Sequence, residues 1–169
     1  MERATIHDLQ IRRAEARDAT AIAEAHRDSI RALGALSYPA GVVDDWQEHV
    51  AADLYLRAMD NGEVFFIATG IVGGTSLVLG FASDYRIEAD TYGTSVYVRG
   101  LAARRGIGSA LLRRAEEDAT ERGAARVLID ASLAGVEFYR AQGYVELGRG
   151  ATNLRSGRPI DCVFMRKDL

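Results

Sequence analysis

The sequence contains very little cysteine, proline or lysine. Among its 169 residues are one cysteine, two prolines and a single lysine, Lys167. A lone thiol, Cys162, cannot form a disulfide within the chain, and the charged amino terminus lacks the apolar stretch of a secretory signal. We therefore expect a cytoplasmic protein.

Positive charge and long apolar runs are also scarce. The formal net charge is -3, which provides no basic face for nucleic acid or anionic lipid. The longest apolar stretch, residues 64–82, is interrupted by glycines and polar residues, whereas a membrane-spanning helix needs about 20 apolar residues in succession. We expect neither nucleic acid nor a membrane as a partner.

The overall composition is that of a folded protein. Hydrophobic residues make up 48% and charged residues 27% of the chain, close to the average for globular domains. The length suffices for one α/β core but not for two ordinary domains. We expect one domain spanning residues 1–169.

The hydrophobic pattern changes along the chain between helical and strand periods. Apolar residues recur every three or four positions in four segments, which predict helices over 19–33, 46–58, 107–121 and 133–142. Short β-prone runs predict strands at 9–11, 64–68, 76–82, 94–98, 127–129, 144–147 and 160–165. This order favours an α/β (α+β) fold with a mixed, mostly antiparallel central sheet flanked by helices.

A basic, glycine-containing turn links the strand ending at Val98 to the helix that begins at Ile107. The free N–H groups and positive dipole end of that helix suit a phosphate, and Gly106 and Gly108 leave the backbone accessible. No lysine precedes Ser109, as a P-loop would require, and the third glycine of a dinucleotide-binding fingerprint is missing.

The run from Val98 to Leu112 resembles the acetyl-CoA signature of the GCN5-related N-acetyltransferase (GNAT) family. Ala103 stands where the family usually has arginine or glutamine, and Arg104 stands where glycine is common. The resemblance implies acetyl-CoA as acyl-donor cosubstrate and a strand that splays from its neighbour at Val98. The implied cofactor-binding residues are Val96, Tyr97, Val98, Ala103, Arg104, Arg105, Gly106, Ile107, Gly108 and Ser109.

A second segment, residues 130–144, is similar to a later motif of the same family. Phe138-Tyr139 and Gly143-Tyr144 lie at the expected separation. The resemblance implies that the Tyr139 phenol donates a proton to the departing CoA thiolate. The alternative is a core tyrosine whose hydroxyl binds a backbone carbonyl.

The general base is not identified by the sequence. Thr94 and Ser95 occupy positions where many relatives carry an acidic residue, and we interpret the nearby Asp84, Glu88 and Asp90 as solvated turn carboxylates. We expect His26 to be a packed, hydrogen-bonded imidazole on the apolar face of its helix. Trp46 and Tyr55 are interpreted as core anchors and Cys162 as an inert buried thiol.

The acceptor is expected to bind near two loops, residues 36–42 and 149–159. In the second loop Arg149, Arg155 and Arg158 are candidates to hold a carboxylate or phosphate of the substrate, although surface arginines usually face water. The histidines and Cys162 show no paired spacing for a zinc site, so no metal is expected.

The leading hypothesis is an enzyme that transfers an acetyl group from acetyl-CoA to a primary amine, with a small molecule favoured over a protein. A non-catalytic acyl-CoA sensor on the same fold remains the alternative, because no acidic residue lies beside Thr94 and Ser95. An interaction protein that binds neither is the third class. The sequence leaves a homodimer open.

Overall fold

The computed structural model describes residues 2–169, which form one seven-stranded sheet and five α-helices. The strands are β1 (His7–Arg13), β2 (Val64–Val72), β3 (Thr75–Arg86), β4 (Thr91–Val98), β5 (Arg126–Ser132), β6 (Val145–Asn153) and β7 (Pro159–Asp168). The helices are α1 (Ala19–Leu33), α2 (Ala40–Glu48), α3 (Ala52–Asp60), α4 (Ile107–Glu121) and α5 (Val136–Ala141).

The sheet is mixed and mostly antiparallel, as predicted. Its strand order is β1-β2-β3-β4-β5-β7-β6, and β4 and β5 form its parallel pair. The first four strands are antiparallel neighbours because short turns join β2 to β3 and β3 to β4. The connection from β4 to β5 contains α4, and a helical crossover of this kind is the usual way to bring two strands into parallel pairing.

Strand alternation produces two separate hydrophobic layers. Phe65, Ile67 and Phe81 pack against α1, α2 and α3 on one face of the sheet. Their neighbours Phe66 and Ala82 pack against α4 on the other face. Successive side chains of a strand point to opposite faces, so the amino-terminal half of the sheet is covered by helices on both sides.

The prediction of one continuous helix over residues 46–58 is wrong, because this segment is divided between α2 and α3. The chain is extended at Ala51 (φ -142°, ψ 163°), between α2 and α3. The Val50 carbonyl accepts a hydrogen bond from the Arg27 guanidinium at 2.6 Å, while the Val50 side chain is buried. This break allows both short helices to pack against α1.

The last predicted helix is also shorter than expected. Residues 133–135 form a turn before α5, in which the Leu133 N–H donates to the Tyr38 hydroxyl at 2.8 Å. The Gly135 N–H donates to the Ser132 carbonyl at 2.8 Å, so the chain turns before the helix begins. In residues 2–169, none of the helices combines the length and the hydropathy needed to span a membrane.

Candidate active site

The central feature of the site is a splay between the parallel strands β4 and β5. Their pairing covers Thr91–Gly93 with Arg126–Leu128 and then stops. Beyond that point β5 continues to pair with β7, while β4 stays with β3 up to Val98. The β5-facing edge of β4 therefore opens from Thr94 to Val98, which agrees with the splay that the family resemblance implied.

The opening forms a cavity of about 800 Å³, here called the splay cavity. One wall is β4 from Ser95 to Val98, and the opposite wall is the end of β5 with α5. Its floor is the start of α4. The Arg99 guanidinium, bonded to the Val78 carbonyl at 2.7 Å, and the Gly100 N–H, bonded to Asp28 at 2.9 Å, fix the end of β4.

The start of α4 has the backbone conformation and the free N–H groups that the predicted anion cradle requires. Gly106 precedes the helix with φ +79°, and the position of its missing Cβ has no other atom within 4 Å. Within residues 2–169 the N–H groups from Arg104 to Ser109 donate to no protein group. Arg104 and Arg105 form no ion pair in the same range, so two cations and free amides are available to a pyrophosphate.

Arg104, which replaces the glycine common at this position of the family motif, has an unusual backbone conformation. Its φ of 58° lies in the left-handed region, which residues other than glycine rarely adopt. The tight turn into α4 therefore explains why glycine is common at this position of the family motif. Here the guanidinium is retained at the cost of an unfavourable backbone conformation.

Most of the cofactor-binding residues predicted from the sequence line the splay cavity, but two do not. Ile107 is 2% exposed and packs in the core beneath α4, so its side chain cannot contact a ligand. Arg105 does not line the cavity, although its N–H group remains among the free amides at the start of α4. The predicted residues that line the cavity are Val96, Tyr97, Val98, Ala103, Arg104, Gly106, Gly108, Ser109 and Tyr139.

We expect Gly108→Val to weaken acetyl-CoA binding by about tenfold or more, whereas Ala103→Arg should change it little. A Cβ at Gly108 would lie 3.3 Å from the Phe138 ring and 3.5 Å from Val98, so a branched side chain would push both into the cavity. Calorimetric titration and thermal melting of both variants test this. A folded Gly108→Val protein that binds like the parent would show that the cradle is misplaced.

The surroundings of Tyr139 are compatible with both interpretations of its role, a proton donor and a core tyrosine. Its ring packs 5.0 Å from Phe138 and 5.4 Å from Tyr144, and the residue is 5% exposed. The residue also lines the splay cavity. Burial raises the pKa of Tyr139 well above its usual value, opposed by a hydrogen bond from the main chain of Val96. The phenol therefore stays protonated and lies beside the free edge of β4.

A second cavity, of about 890 Å³, lies on the opposite side of β4, and we call it the α3 cavity. Its walls are α3, the adjoining face of β2 to β4, and the turn between β6 and β7. Ser95 and Tyr97 line both cavities. These two residues therefore lie between the two cavities.

The α3 cavity contains a hydrogen-bonded chain that begins at Ser95. The hydroxyls of Ser95 and Ser83 are 2.9 Å apart, and Ser83 donates to the Glu63 carboxylate at 2.6 Å. Ser83 is fully buried, and its carbonyl accepts from Thr94 at 2.8 Å. Burial raises the pKa of Glu63 above the usual range of carboxyl groups, and the Ser83 hydrogen bond opposes this in part.

Glu63 is not among the site residues predicted from the sequence. It follows the Asn61-Gly62 turn, which predicted only the end of a helix. The contacts to Ser83 and Ser95 depend on the pairing of β2 with β3 and of β3 with β4, where Ser83 lies directly opposite Ser95. An acidic residue at the start of a strand is no signal by itself.

The three carboxylates considered as turn residues differ from one another. Asp84 is 1% exposed and pairs with Arg122, so its assignment as a solvated turn residue is wrong. Burial raises the pKa of Asp84 to about 7, opposed by its hydrogen bond with Arg122. Glu88 and Asp90 lie in the turn between β3 and β4, as predicted, and none of the three lines the α3 cavity.

His26 is the packed, hydrogen-bonded imidazole that the sequence predicted. Its Nδ1 lies 2.6 Å from the Tyr55 hydroxyl, and its ring centroid is 3.9 Å from that of Tyr97. Burial lowers the pKa of His26 to about 3, with smaller contributions from the charges of Arg155 and Arg27. The ring is therefore neutral and contributes to the inner wall of the α3 cavity.

Three further predictions concern Cys162, the histidines and the segment over residues 36–42. Cys162 is buried as expected. His49 lies close to Asp45 and Glu48, a grouping that its sequence spacing had not suggested, but Asp45 is already bonded to Ser156 and Arg158. The segment over residues 36–42, predicted as a loop, is helical from Ala40 onward, because α2 begins there. Within it, Leu36 and Ser37 border the splay cavity, not the α3 cavity.

The segment over residues 149–159 is not a loop for most of its length, because β6 extends to Asn153 and β7 begins at Pro159. Arg149 lies on β6 and pairs with Glu146 at 3.1 Å. Arg158 pairs with Asp45 of α2 at 3.3 Å. Of the three candidate arginines, Arg155 lines the α3 cavity.

Comparison with known proteins gives consistent matches. The family model described as "Acetyltransferase (GNAT) family" matches residues 20–144. A structure from Rhodopseudomonas palustris, described as a GCN5-related N-acetyltransferase and class-II aminotransferase, is 25% identical with a TM-score of 0.79, covering 98% of each chain. A phosphinothricin acetyltransferase from Sinorhizobium meliloti in complex with acetyl-CoA is 25% identical with a TM-score of 0.67, covering 99% of this chain and 89% of its own.

A third structure shares the fold at lower identity. It is yncA, a putative acetyltransferase from Salmonella typhimurium with its cofactor acetyl-CoA, at 21% identity and a TM-score of 0.69. The alignment covers 96% of this chain and 94% of that chain. No curated protein matches the sequence.

Proposed function

The chain belongs to the acetyltransferase (GNAT) family and is an acetyl-CoA-dependent N-acetyltransferase, and from this premise we propose that it acetylates the primary amine of a small molecule bound in the α3 cavity. The observation that carries the proposal is that Ser95 and Tyr97 line both cavities. An amine in the α3 cavity lies next to the place where the thioester would be held. The cavity of about 890 Å³ has the size of a small-molecule site.

The donor side fits the cosubstrate. The open space at Gly106, the free amides after it and the guanidinium of Arg104 suit the pyrophosphate. The open edge of β4 at Val96 and Val98 offers main-chain groups to the pantetheine arm. When bound, acetyl-CoA supplies an acetyl group activated as a thioester, and the chain itself has to orient the amine and move two protons.

Removal of the amine proton is assigned to the chain of Ser95, Ser83 and Glu63. Ser95 accepts the proton from the amine as its own hydroxyl proton passes to Ser83, and the Ser83 proton passes to Glu63. The two oxygen-to-oxygen distances of 2.9 and 2.6 Å are hydrogen-bond distances. The raised pKa of Glu63 makes it a better proton acceptor than an ordinary carboxylate.

The second proton is assigned to Tyr139. Its phenol remains protonated and lines the splay cavity beside Val96. From there it can donate to the departing thiolate sulfur, while the main-chain N–H groups of the splayed strand stabilise charge on the thioester oxygen. The alternative of a non-catalytic sensor depended on the lack of a carboxylate beside Ser95 in the sequence. Glu63 provides a carboxylate that is linked to Ser95 through Ser83.

An amine panel tests the proposed acceptor class. Thiol release from acetyl-CoA is followed with small primary amines and with peptides that offer a lysine or a free amino terminus. We expect turnover with small amines, because a cavity of about 890 Å³ has the size of a small-molecule site. Release that occurs only with peptides or proteins would contradict the proposal.

A further inference from the structure

The lining of the α3 cavity carries an excess of positive charge. Four arginines line it, and Glu63 is its one carboxylate within residues 2–169. A protonated amine with no other charge would be repelled by these guanidinium groups as it entered. The cavity is therefore better suited to an amine that also carries negative charge.

Three of the four arginines are already engaged by groups of the protein. Each of them donates hydrogen bonds to carboxylates or carbonyls nearby, so their charge is partly compensated. The partners are Asp53 for Arg57 at 2.7 Å, the Glu88 and Ala89 carbonyls for Arg86 at 3.3 and 3.1 Å, and Asp84 and Asp118 for Arg122.

Arg155 differs from these three. It has neither a hydrogen bond nor an ion pair to any of residues 2–169 through its side chain. The turn that carries it is nevertheless held in place, because the Leu154 N–H donates to the Arg158 carbonyl at 2.8 Å, Ser156 donates to Asp45 at 2.7 Å, and Arg158 pairs with Asp45 at 3.3 Å. The turn is thus fixed on α2, and Arg155 contributes an uncompensated guanidinium to the cavity.

The positive charge of Arg155 influences His26 at the inner wall of the cavity. After burial, it is the largest cause that lowers the pKa of His26, which lies on α1 beside Tyr97. The guanidinium therefore acts toward the interior of the cavity as well as toward solvent. A planar guanidinium can bind a carboxylate or a phosphate-type group through two parallel hydrogen bonds.

We propose that the acceptor is a small amine with an anionic group, carboxylate or phosphonate in type, whose anion binds Arg155 while its amine lies at Ser95. This inference rests on the proposed function and specifies its substrate class.

The substrate class is tested with acceptors that differ only in the anion. Each of a set of α-amino acids is compared with its carboxamide, and aminoalkylphosphonates are compared with alkylamines of the same length, by thiol release at fixed acetyl-CoA. We expect kcat/KM to favour the anionic member of each pair by roughly tenfold or more. The relative rates of carboxylates and phosphonates then distinguish the two anions.

Variants of Arg155 show whether that residue causes the preference. We expect Arg155→Ala to raise KM for the anionic acceptors by roughly tenfold to a hundredfold and to leave carboxamides and acetyl-CoA affinity unchanged. Arg155→Lys, which keeps the charge but loses the planar fork, should fall in between. Arg149→Ala is the matched control, because Arg149 lies on the same hairpin, pairs with Glu146 and lines neither cavity.

The outcomes separate this inference from the proposed function. If the protein acetylates carboxamides and alkylamines as well as their anionic partners, or if Arg155→Ala affects both members of a pair alike, the anion site is wrong and the proposed function stands. If no small amine is acetylated and only peptides or proteins are, both proposals fail.

Discussion

Glu63→Gln is expected to lower kcat/KM for acetyl transfer by about a hundredfold or more, the range typical of a lost general base. The glutamine keeps the size of the side chain and its ability to accept the Ser83 hydrogen bond, which measures 2.6 Å in the parent. It cannot take up a proton. The fold and the affinity for acetyl-CoA should therefore be preserved, and steady-state kinetics with a reactive amine measure the effect.

The pH dependence separates a proton acceptor from a structural residue. Burial raises the pKa of Glu63, and a carboxyl group accepts a proton only above its pKa. In the parent protein kcat/KM should therefore rise with pH through a value above the usual carboxyl range. Glu63→Gln should remove this limb, so a variant that is slower but keeps the same limb would contradict the assignment.

Two further variants test the path through the serines. Ser83→Ala interrupts the chain and should reduce turnover about as strongly as Glu63→Gln, while the double variant should be little worse than either. Glu88→Gln is the control, because Glu88 lies in the turn between β3 and β4 and outside the α3 cavity. Additive losses in the double variant would mean that the two residues act separately.

Tyr139→Phe is expected to reduce turnover by about a hundredfold or more if the phenol protonates the thiolate. The change removes one oxygen and keeps the ring packed against Phe138 and Tyr144. Affinity for acetyl-CoA should change little, and the free energy of unfolding should fall by no more than about 1 kcal/mol. Kinetics and a thermal melt on one preparation provide the measurement.

Tyr144→Phe is the matched control for this prediction. Tyr144 is buried in the same cluster, but its hydroxyl donates to Glu116 at 3.0 Å and does not line the splay cavity. The control should lose about 1 kcal/mol of stability and keep its turnover. If Tyr139→Phe behaves in the same way, Tyr139 is a core residue and the catalytic assignment must be withdrawn.

The elements of this fold are readable from the sequence where their signals are local. Short β-prone runs mark β2 to β4, and the glycines at 106 and 123 mark the ends of α4 through backbone conformations that they adopt readily, with φ of +79° and +100°. The helix over residues 46–58 was predicted as continuous because its apolar stripe runs through the break. Only the contact of Arg27 with the Val50 carbonyl reveals why the chain turns there.

The donor side of the site could be proposed from the sequence for the same reason. Its strand, turn and helix are contiguous in the chain, so Gly106, Gly108 and Tyr139 could be proposed from two short motifs. The acceptor side was not, because it is assembled from separate strands. Asp84 resembled a turn carboxylate in sequence, and its burial against Arg122 follows only from the packing of α4 on the sheet.

By itself, therefore, the sequence determined the succession of strands and, apart from the break at Ala51, of helices along the chain. It also predicted an anion cradle at α4, since both depend on local periodicity and on neighbouring backbone groups. The tertiary structure decided which side chains meet across the sheet. Register places Ser83 opposite Ser95 and within reach of Glu63, and docking of the β6–β7 turn on α2 brings Arg155 to the same cavity. Such contacts between distant segments arise from pairing and packing, so Glu63 carried no local signal and Arg155 could be named only as one of three arginines in its segment.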